Sequence, residues 1–371
     1  MQLLPARPGD SIEDVDTPAL VVDLDAFERN LDLMANAVRG AGVALRPHAK
    51  AHKCPDIAHA QIERGAVGIC CQKVGEAEAF VAGGIRDVLV TNEIVGERKL
   101  ARLAAMATKA RIGVLVDDAA SIRHIGAAAR AAGVTIDVLV EIDVGAHRCG
   151  TAAGAPAAAL AEMIARTPGV SFRGVHAYQG AAQHLRRPEE RRAAIATAIE
   201  LARQTKAAIE AAGLVCATVT GGGTGTWQNE RDSGVYTEVQ PGSYIFMDAD
   251  YHRNALAPDE HHFEQSLFVA ATVMSTPVRE RAIVDAGLKA FAFDSGPPAV
   301  YGARGLVYER GSDEHGVVSV DAEARPPVIG DRLWLVPGHC DPTVNLYDWI
   351  VGVRGTRVES VWPVAARGAL T

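Results

Sequence analysis

The sequence predicts an α/β fold, a (β/α)8 TIM-like barrel followed by a C-terminal all-β domain. Three observations point there. Short β-branched runs alternate with Ala-rich helical stretches from about residue 18 to 250. Eight such runs remain once the first is set aside. After about residue 262 the helical pattern stops and strand follows strand. Strand–helix alternation implies parallel βαβ units with right-handed crossovers, and eight of them close a barrel.

The first run, Ala19–Val22, is free to pair elsewhere. The barrel runs are Val43–Leu45, Val67–Cys71, Asp87–Thr91, Ile112–Val116, Ile136–Ile142, Phe172–Tyr178, Ala217–Thr220 and Tyr236–Val239. Helical patterns lie at Ala26–Arg39, Pro55–Arg64, Glu76–Ala82, Arg98–Ala107, Ala119–Ala132, Pro156–Arg166 and Glu189–Ala212. An open doubly wound sheet is the competing topology, but no GxGxxG follows the first strand. The later strands are Ser266–Met274, Arg281–Asp285, Gly316–Val320, Arg332–Val336, Trp349–Val353 and Arg357–Trp362, separated by turn signals such as ERGSDEHG. The expected domains are a barrel over 17–255 and a β domain over 262–371, with segment 1–16 packing on the latter. Polar Tyr251–Glu264 is the expected linker.

The 371 residues carry 37 Lys+Arg against 45 Asp+Glu, a net charge of −8, with 48% hydrophobic residues. That is a globular composition without the basic footprint of nucleic-acid or anionic-membrane binding. No apolar run is long enough to span a bilayer, and the N-terminus lacks the apolar core of a secretory signal. Six cysteines without CxxC spacing fit reduced thiols in a cytoplasmic protein.

Five constellations carry functional groups. Arg46-Pro-His48-Ala-Lys50-Ala-His52-Lys53 follows the first barrel strand, on the catalytic face of such a barrel. Extended alternation places Arg46, His48, Lys50 and His52 on one side, and parity selects Lys50 over Lys53. A lysine crowded by cations has a lowered pKa, suited to a Schiff-base amine; a basic surface loop is the plain alternative. Thr220-Gly-Gly-Gly-Thr-Gly-Thr226 follows the seventh strand, where converging backbone N–H groups hold phosphate in barrels. Gln240-Pro-Gly-Ser243 follows the eighth and faces the same place. Arg148, after strand five, and Tyr178 with His184, after strand six, share the rim. In the β domain, His339-Cys-Asp341 sets imidazole and carboxylate at i and i+2, so an extended segment aims both at one face and can hold a divalent cation. An isolated HxD is also a common surface pattern.

Together the motifs RPHAKAHKCP, GICCQKVGEAEAF, VLVTNE, VEIDVGAHRCG, HAYQG with QH, GGGTGT, QPGSYIFMDADY, VDAGLK, DEHGVV and PGHCDPTVNLYDW resemble the D-threonine aldolase family. That family is part of the alanine-racemase-like, fold type III pyridoxal-phosphate enzymes and is similar to β-hydroxyaspartate aldolase and D-serine dehydratase. The resemblance runs from about Asp16 to Arg367. It implies a homodimer with the active site at the subunit interface. It implies Lys50 as the pyridoxal-phosphate lysine, Arg148 near the phenolic oxygen and Tyr178 along the ring. Gly222, Gly223, Thr224, Gly242 and Ser243 would hold the phosphate, and Gln72 would contact cofactor or substrate. His339 and Asp341 would hold a divalent metal (Mn²⁺, with Mg²⁺ or Co²⁺ as alternatives), with catalytic His184 close by. Alanine racemases place an Arg at the pyridine nitrogen where this chain has Gln240, and a neutral partner there favours deeper delocalisation of a carbanion.

The implied activity is retro-aldol cleavage of β-hydroxy-D-amino acids to glycine and an aldehyde, with the metal lowering the β-hydroxyl pKa and His184 taking its proton. The alternatives are a D-serine or 3-hydroxyaspartate dehydratase, an amino-acid racemase, which needs no metal, and a non-enzymatic pyridoxal-phosphate carrier, which needs no HxD.

Overall fold

Two sheets share one helix. The structure, a computed structural model, describes residues 3–371. Strand β1 (Ala19–Asp23) leads directly into helix α1 (Leu24–Val38). The Asp23 carboxylate accepts from the backbone N–H groups of Asp25 and Ala26 and so sets the helix start.

The barrel strands are β2 (Ala44–Leu45), β3 (Ile69–Cys71), β4 (Asp87–Glu93), β5 (Arg111–Val116), β6 (Ile136–Glu141), β7 (Val170–His176), β8 (Thr218–Gly221) and β9 (Glu238–Val239). They pair in parallel in the order β2-β9-β8-β7-β6-β5-β4-β3. The seam between β2 and β3 is closed by a parallel bridge from His48 to Cys70, and Val67 N–H donates to Leu45 O at 2.9 Å. Around them lie α2 (Pro55–Glu63), α3 (Val74–Ala82), α4 (Glu97–Met106), α5 (Ala119–Ala132), α6 (Ala155–Arg166), α7 (Pro188–Ala211) and the one-turn α8 (Trp227–Arg231). β9 is followed by two 3-10 turns, Ser243–Ile245 and Tyr251–Arg253, in place of a barrel α-helix. α1 contributes Phe27, Leu31 and Met34 to a core that also holds Leu45 and Val239 of the barrel and Leu267 and Ile350 of the other sheet.

Period-two alternation builds the barrel interior in layers. Arg46, Asp87, Arg111, Asp137 and Glu238 form a charged layer at the bottom. Cys70, Leu89, Leu115 and Leu139 form an apolar layer above it. The next inward positions, among them His48, Thr91, His176 and Gln240, are polar and line the cavity at the strand C-termini. The apolar layer seals the cavity floor from the charged one.

The second sheet holds β10 (Leu267–Val278), β11 (Arg281–Val284), β12 (Ala299–Tyr301), β13 (Leu306–Gly311), β14 (Gly316–Val320), β15 (Arg332–Val336), β16 (Trp349–Arg354) and β17 (Arg357–Pro363). Its path is β13-β14-β11-β10-β1-β16-β17, with β15 on β10 and β12 on β15. A barrel span beginning at 17 therefore takes in a strand of the other sheet: β1 runs antiparallel to β10 and parallel to β16. The domain is mostly, not wholly, β, because the short helix α9 (Cys340–Val344) stands in it. Gly9 and Ile12 donate backbone hydrogen bonds to Val358 and Thr356, which ties the N-terminal segment to the β16–β17 hairpin; residues 1 and 2 lie outside the described residues. The stretch 251–264 is anchored rather than loose, with Glu260 paired to the buried Arg191 at 2.8 Å.

Candidate active site

A cavity of about 360 Å³ opens at the strand C-termini, within the ~300–1,000 Å³ typical of small-molecule sites. His48, Lys50, Gln72, Arg148, Tyr178, His184, Gly223, Thr224, Gln240, Gly242 and Ser243 all line it. Lys50 Nζ forms an ion pair with Oδ2 of Asp341, carried in by α9. The barrel mouth and the HxD segment thus meet within one chain.

The route to Lys50 differs from the extended alternation expected. Residues 49–51 form a 3-10 turn with His48 at its N-cap. Arg46 and His48 point inward, but the turn rotates His52 out of the cavity. Its ring meets Phe80 edge-on at 5.8 Å, and Nδ1 accepts from Cys54 N–H at 3.1 Å. Lys53 is buried against Glu76 at 3.0 Å and Asn345 at 2.9 Å. The expected lowering of the Lys50 pKa is also overturned. Burial pulls it down, but the adjacent Asp341 carboxylate, joined by the nearby Tyr178 and Cys340 side chains, raises it on balance. His48 adds no opposing cation, because burial and Lys50 itself hold its pKa well below the usual imidazole value.

His48 Nδ1 accepts the Lys50 backbone N–H at 3.4 Å, so Nε2 carries the proton and donates to Thr91 Oγ1 at 2.9 Å. Gln72 Oε1 stands 3.2 Å from the same nitrogen. On the opposite wall, Gln240 Nε2 donates to Thr220 Oγ1 at 2.7 Å, and its Oε1 lies 3.2 Å from His176 Nε2. Both ends of the amide are fixed, so no charged group stands at this position. Burial raises the Tyr178 phenol pKa against the pull of Lys50 and Arg148.

The loop after β8 fits an anion. Gly222 has φ +79°, in the left-handed region. A Cβ on Gly242 would lie 2.6 Å from the His48 carbonyl. The Thr224 hydroxyl is buried without a partner, an orphan donor that a phosphate oxygen would satisfy. The Ser243 hydroxyl donates to Asp341 Oδ1 at 3.2 Å.

At the rim, the half-exposed His184 places Nδ1 2.7 Å from Asp250 Oδ2. Burial opposes ionisation of Asp250, but hydrogen bonds from Arg186, His184 and Arg253 hold its pKa near 2. The carboxylate therefore takes Nδ1–H and leaves Nε2 as the basic nitrogen. His339 is the N-cap of α9, not part of an extended strand, and its Nδ1 lies 2.6 Å from Asp294 Oδ2, leaving Nε2 as a ligand atom. Cys340 is buried. Carboxylate and imidazole suit a hard-to-borderline divalent cation.

Several participants escaped sequence reading. Tyr251 lines the cavity from the anchored linker. Thr91 follows from the same inward parity as His48 and His176, which the sequence already set at strand ends, whereas Asp250 and Asp294 pair across distant segments and leave no local signal. Among the described residues, ligating atoms of Glu93, Asp117 and Cys149 lie within 4.8 Å of one another above β4–β6. Burial and a shared hydrogen bond with Glu141 push Glu93 up to about 7.

A closed barrel with a lysine, an anion loop and a β domain reaching into its mouth defines an alanine-racemase-like enzyme. The chain matches the alanine racemase N-terminal domain over residues 22–250 and a serine dehydratase domain over 266–353. It is 50% identical to the D-threonine aldolase of Arthrobacter sp., covering 98% of this chain and 96% of that protein. It is 47% identical to the 3-hydroxy-D-aspartate aldolase of Paracoccus denitrificans, covering 98% and 95%. The crystal structure of D-threonine aldolase from Filomicrobium marinum superposes with a TM-score of 0.98 at 50% identity, covering 99% and 100%. The chain belongs to the D-threonine aldolase family and is a lyase. Among the described residues, no helix is long and apolar enough to cross a membrane.

Proposed function

We propose that the protein cleaves β-hydroxy-D-amino acids to glycine and an aldehyde, using pyridoxal phosphate and a divalent metal, Mn²⁺ foremost. The observation that carries this reading is the Lys50–Asp341 contact, which sets an amine able to anchor an aldehyde cofactor beside a carboxylate able to ligate a metal. When bound, pyridoxal phosphate supplies a sink for the electron pair released by carbon–carbon scission, and the metal supplies a Lewis acid for the hydroxyl.

The chain's own residues do the rest. Thr224 and the Gly222–Gly223 turn would hold the phosphate end, and Arg148, which lines the mouth, would meet the phenolic oxygen. Gln240, held by Thr220 and His176, keeps the far wall uncharged. His339 Nε2 and Asp341 offer the metal donors. His184, oriented by Asp250, removes the β-hydroxyl proton at Nε2. The relatives' names support both D-threonine and 3-hydroxy-D-aspartate as substrates. We further propose a cytoplasmic homodimer whose interface completes the site; the six unpaired cysteines support a reducing compartment.

The serine dehydratase match over the β domain supports one second reading, β-elimination to ammonia and an oxoacid. The hard Asp341 oxygen favours the aldolase reading. The test is a panel of D-threonine, D-phenylserine, 3-hydroxy-D-aspartate and D-serine, with and without EDTA. Metal-dependent glycine plus aldehyde supports cleavage; ammonia plus oxoacid establishes elimination instead.

A further inference from the structure

Both oxygens of Asp341 are engaged by groups of the chain. Oδ2 pairs with Lys50 Nζ. Oδ1 accepts from Ser243 Oγ at 3.2 Å and lies 3.3 Å from Cys340 Sγ. The carboxylate is 10% exposed, whereas the Lys50 side chain that reaches it is 40% exposed. His339 is differently placed: its Nδ1 is held by Asp294, which leaves Nε2 outside that pair. One donor of the HxD pair is therefore open to a cation, and the other is held by a cation belonging to the chain.

We infer that Lys50 and the divalent metal compete for Asp341, so that attachment of the cofactor to Lys50 releases the carboxylate and tightens metal binding. The inference rests on the reading under Proposed function. A free lysine ammonium carries three N–H donors and a full compact charge. Condensation with an aldehyde forms a C=N bond, breaks the C=O bond and releases water; nothing is oxidised or reduced. The nitrogen then keeps at most one hydrogen, and its position is fixed by the cofactor ring rather than by Asp341. Ser243 still holds Oδ1, so the released carboxylate keeps its orientation. The Ser243 hydroxyl thus serves as a positioning group for the metal carboxylate. By linkage, the metal must tighten cofactor binding by the same factor.

The test is calorimetric titration of Mn²⁺ into the full-length protein, cofactor-free and pyridoxal-phosphate-loaded. The expected Kd is at least about tenfold lower in the loaded form. The pyridoxal-phosphate Kd should fall by the same factor at saturating Mn²⁺. Cofactor-free Lys50→Met, which cannot form the ion pair, should bind Mn²⁺ as tightly as the loaded wild type. Equal Mn²⁺ affinities in the two wild-type forms, with binding still abolished by His339→Ala, overturn the competition and leave the metal site standing. Absence of any His339-dependent Mn²⁺ binding overturns the metal reading and this inference with it.

Discussion

Nδ1 of His184 lies 2.7 Å from Oδ2 of Asp250, a carboxylate already paired with Arg186 and Arg253. The pairing fixes the tautomer and turns a rim histidine into an oriented base. His184→Ala should lower kcat by about 10²–10⁴-fold, the usual span for a general base, with the cofactor absorbance intact. Asp250→Asn should lower kcat in the same direction by a smaller factor. Steady-state kinetics beside the absorbance spectrum checks both, and wild-type turnover in His184→Ala removes it from the chemistry.

The same carboxylate shapes acid stability. An unfolded Asp titrates near ~3.9, and Asp250 in the fold near 2. The unfolded state binds more protons in that window. The stabilisation is complete above about pH 4 and is lost as pH falls toward 2. Asp250→Asn should flatten this limb in denaturant titrations between pH 2 and 5; an unchanged limb would show that Asp250 does not supply it.

Glu93 titrates the other way. Its folded pKa, about 7, lies above the ~4.3 of an unfolded glutamate. The folded state binds more protons between those values, so stability declines as pH rises from about 4 to 7. Glu93→Gln should be less sensitive across this range, and more stable than wild type at pH 8. A variant that tracks wild type throughout would place the ionisation elsewhere.

Thr224→Val should leave urea stability unchanged, because the hydroxyl it removes has no protein partner. It should weaken pyridoxal-phosphate binding about 10–100-fold, the loss of a hydrogen bond to a charged group at ~1.5–3 kcal/mol. Cofactor titration by fluorescence measures this, and an unaltered Kd would mean that the phosphate lies elsewhere.

At the barrel floor, Arg46 spans Glu238 at 2.9 Å and Asp87 at 2.6 Å with a side chain 10% exposed. Arg46→Met strands Glu238 below the apolar layer. Breaking such a buried pair costs about 3–5 kcal/mol, readable in urea unfolding; a loss under 1 kcal/mol would show that water reaches this layer.

Much of the fold was legible because one face of each element is buried. The eight barrel runs betray themselves by alternation such as Val88-Leu89-Val90, where Leu89 faces inward and its neighbours pack on helices. β12 and β13 escaped because Ala299–Tyr301 is short and exposed at both ends, and Leu306–Gly311 buries only Tyr308 fully and so shows no sustained alternation. In the site, residue types near strand ends were readable, but their partners were not. His52 was misplaced because a 3-10 turn replaced the extended chain. The Lys50 pKa was misjudged because its deciding neighbour, Asp341, lies 291 residues away in sequence.

The most direct measurement is borohydride reduction of the pyridoxal-phosphate-loaded protein followed by peptide mass spectrometry. The account predicts a stoichiometric pyridoxyl label on Lys50, in the peptide spanning the 3-10 turn. A label on Lys53 or on any other lysine, with Lys50 unmodified, would contradict it.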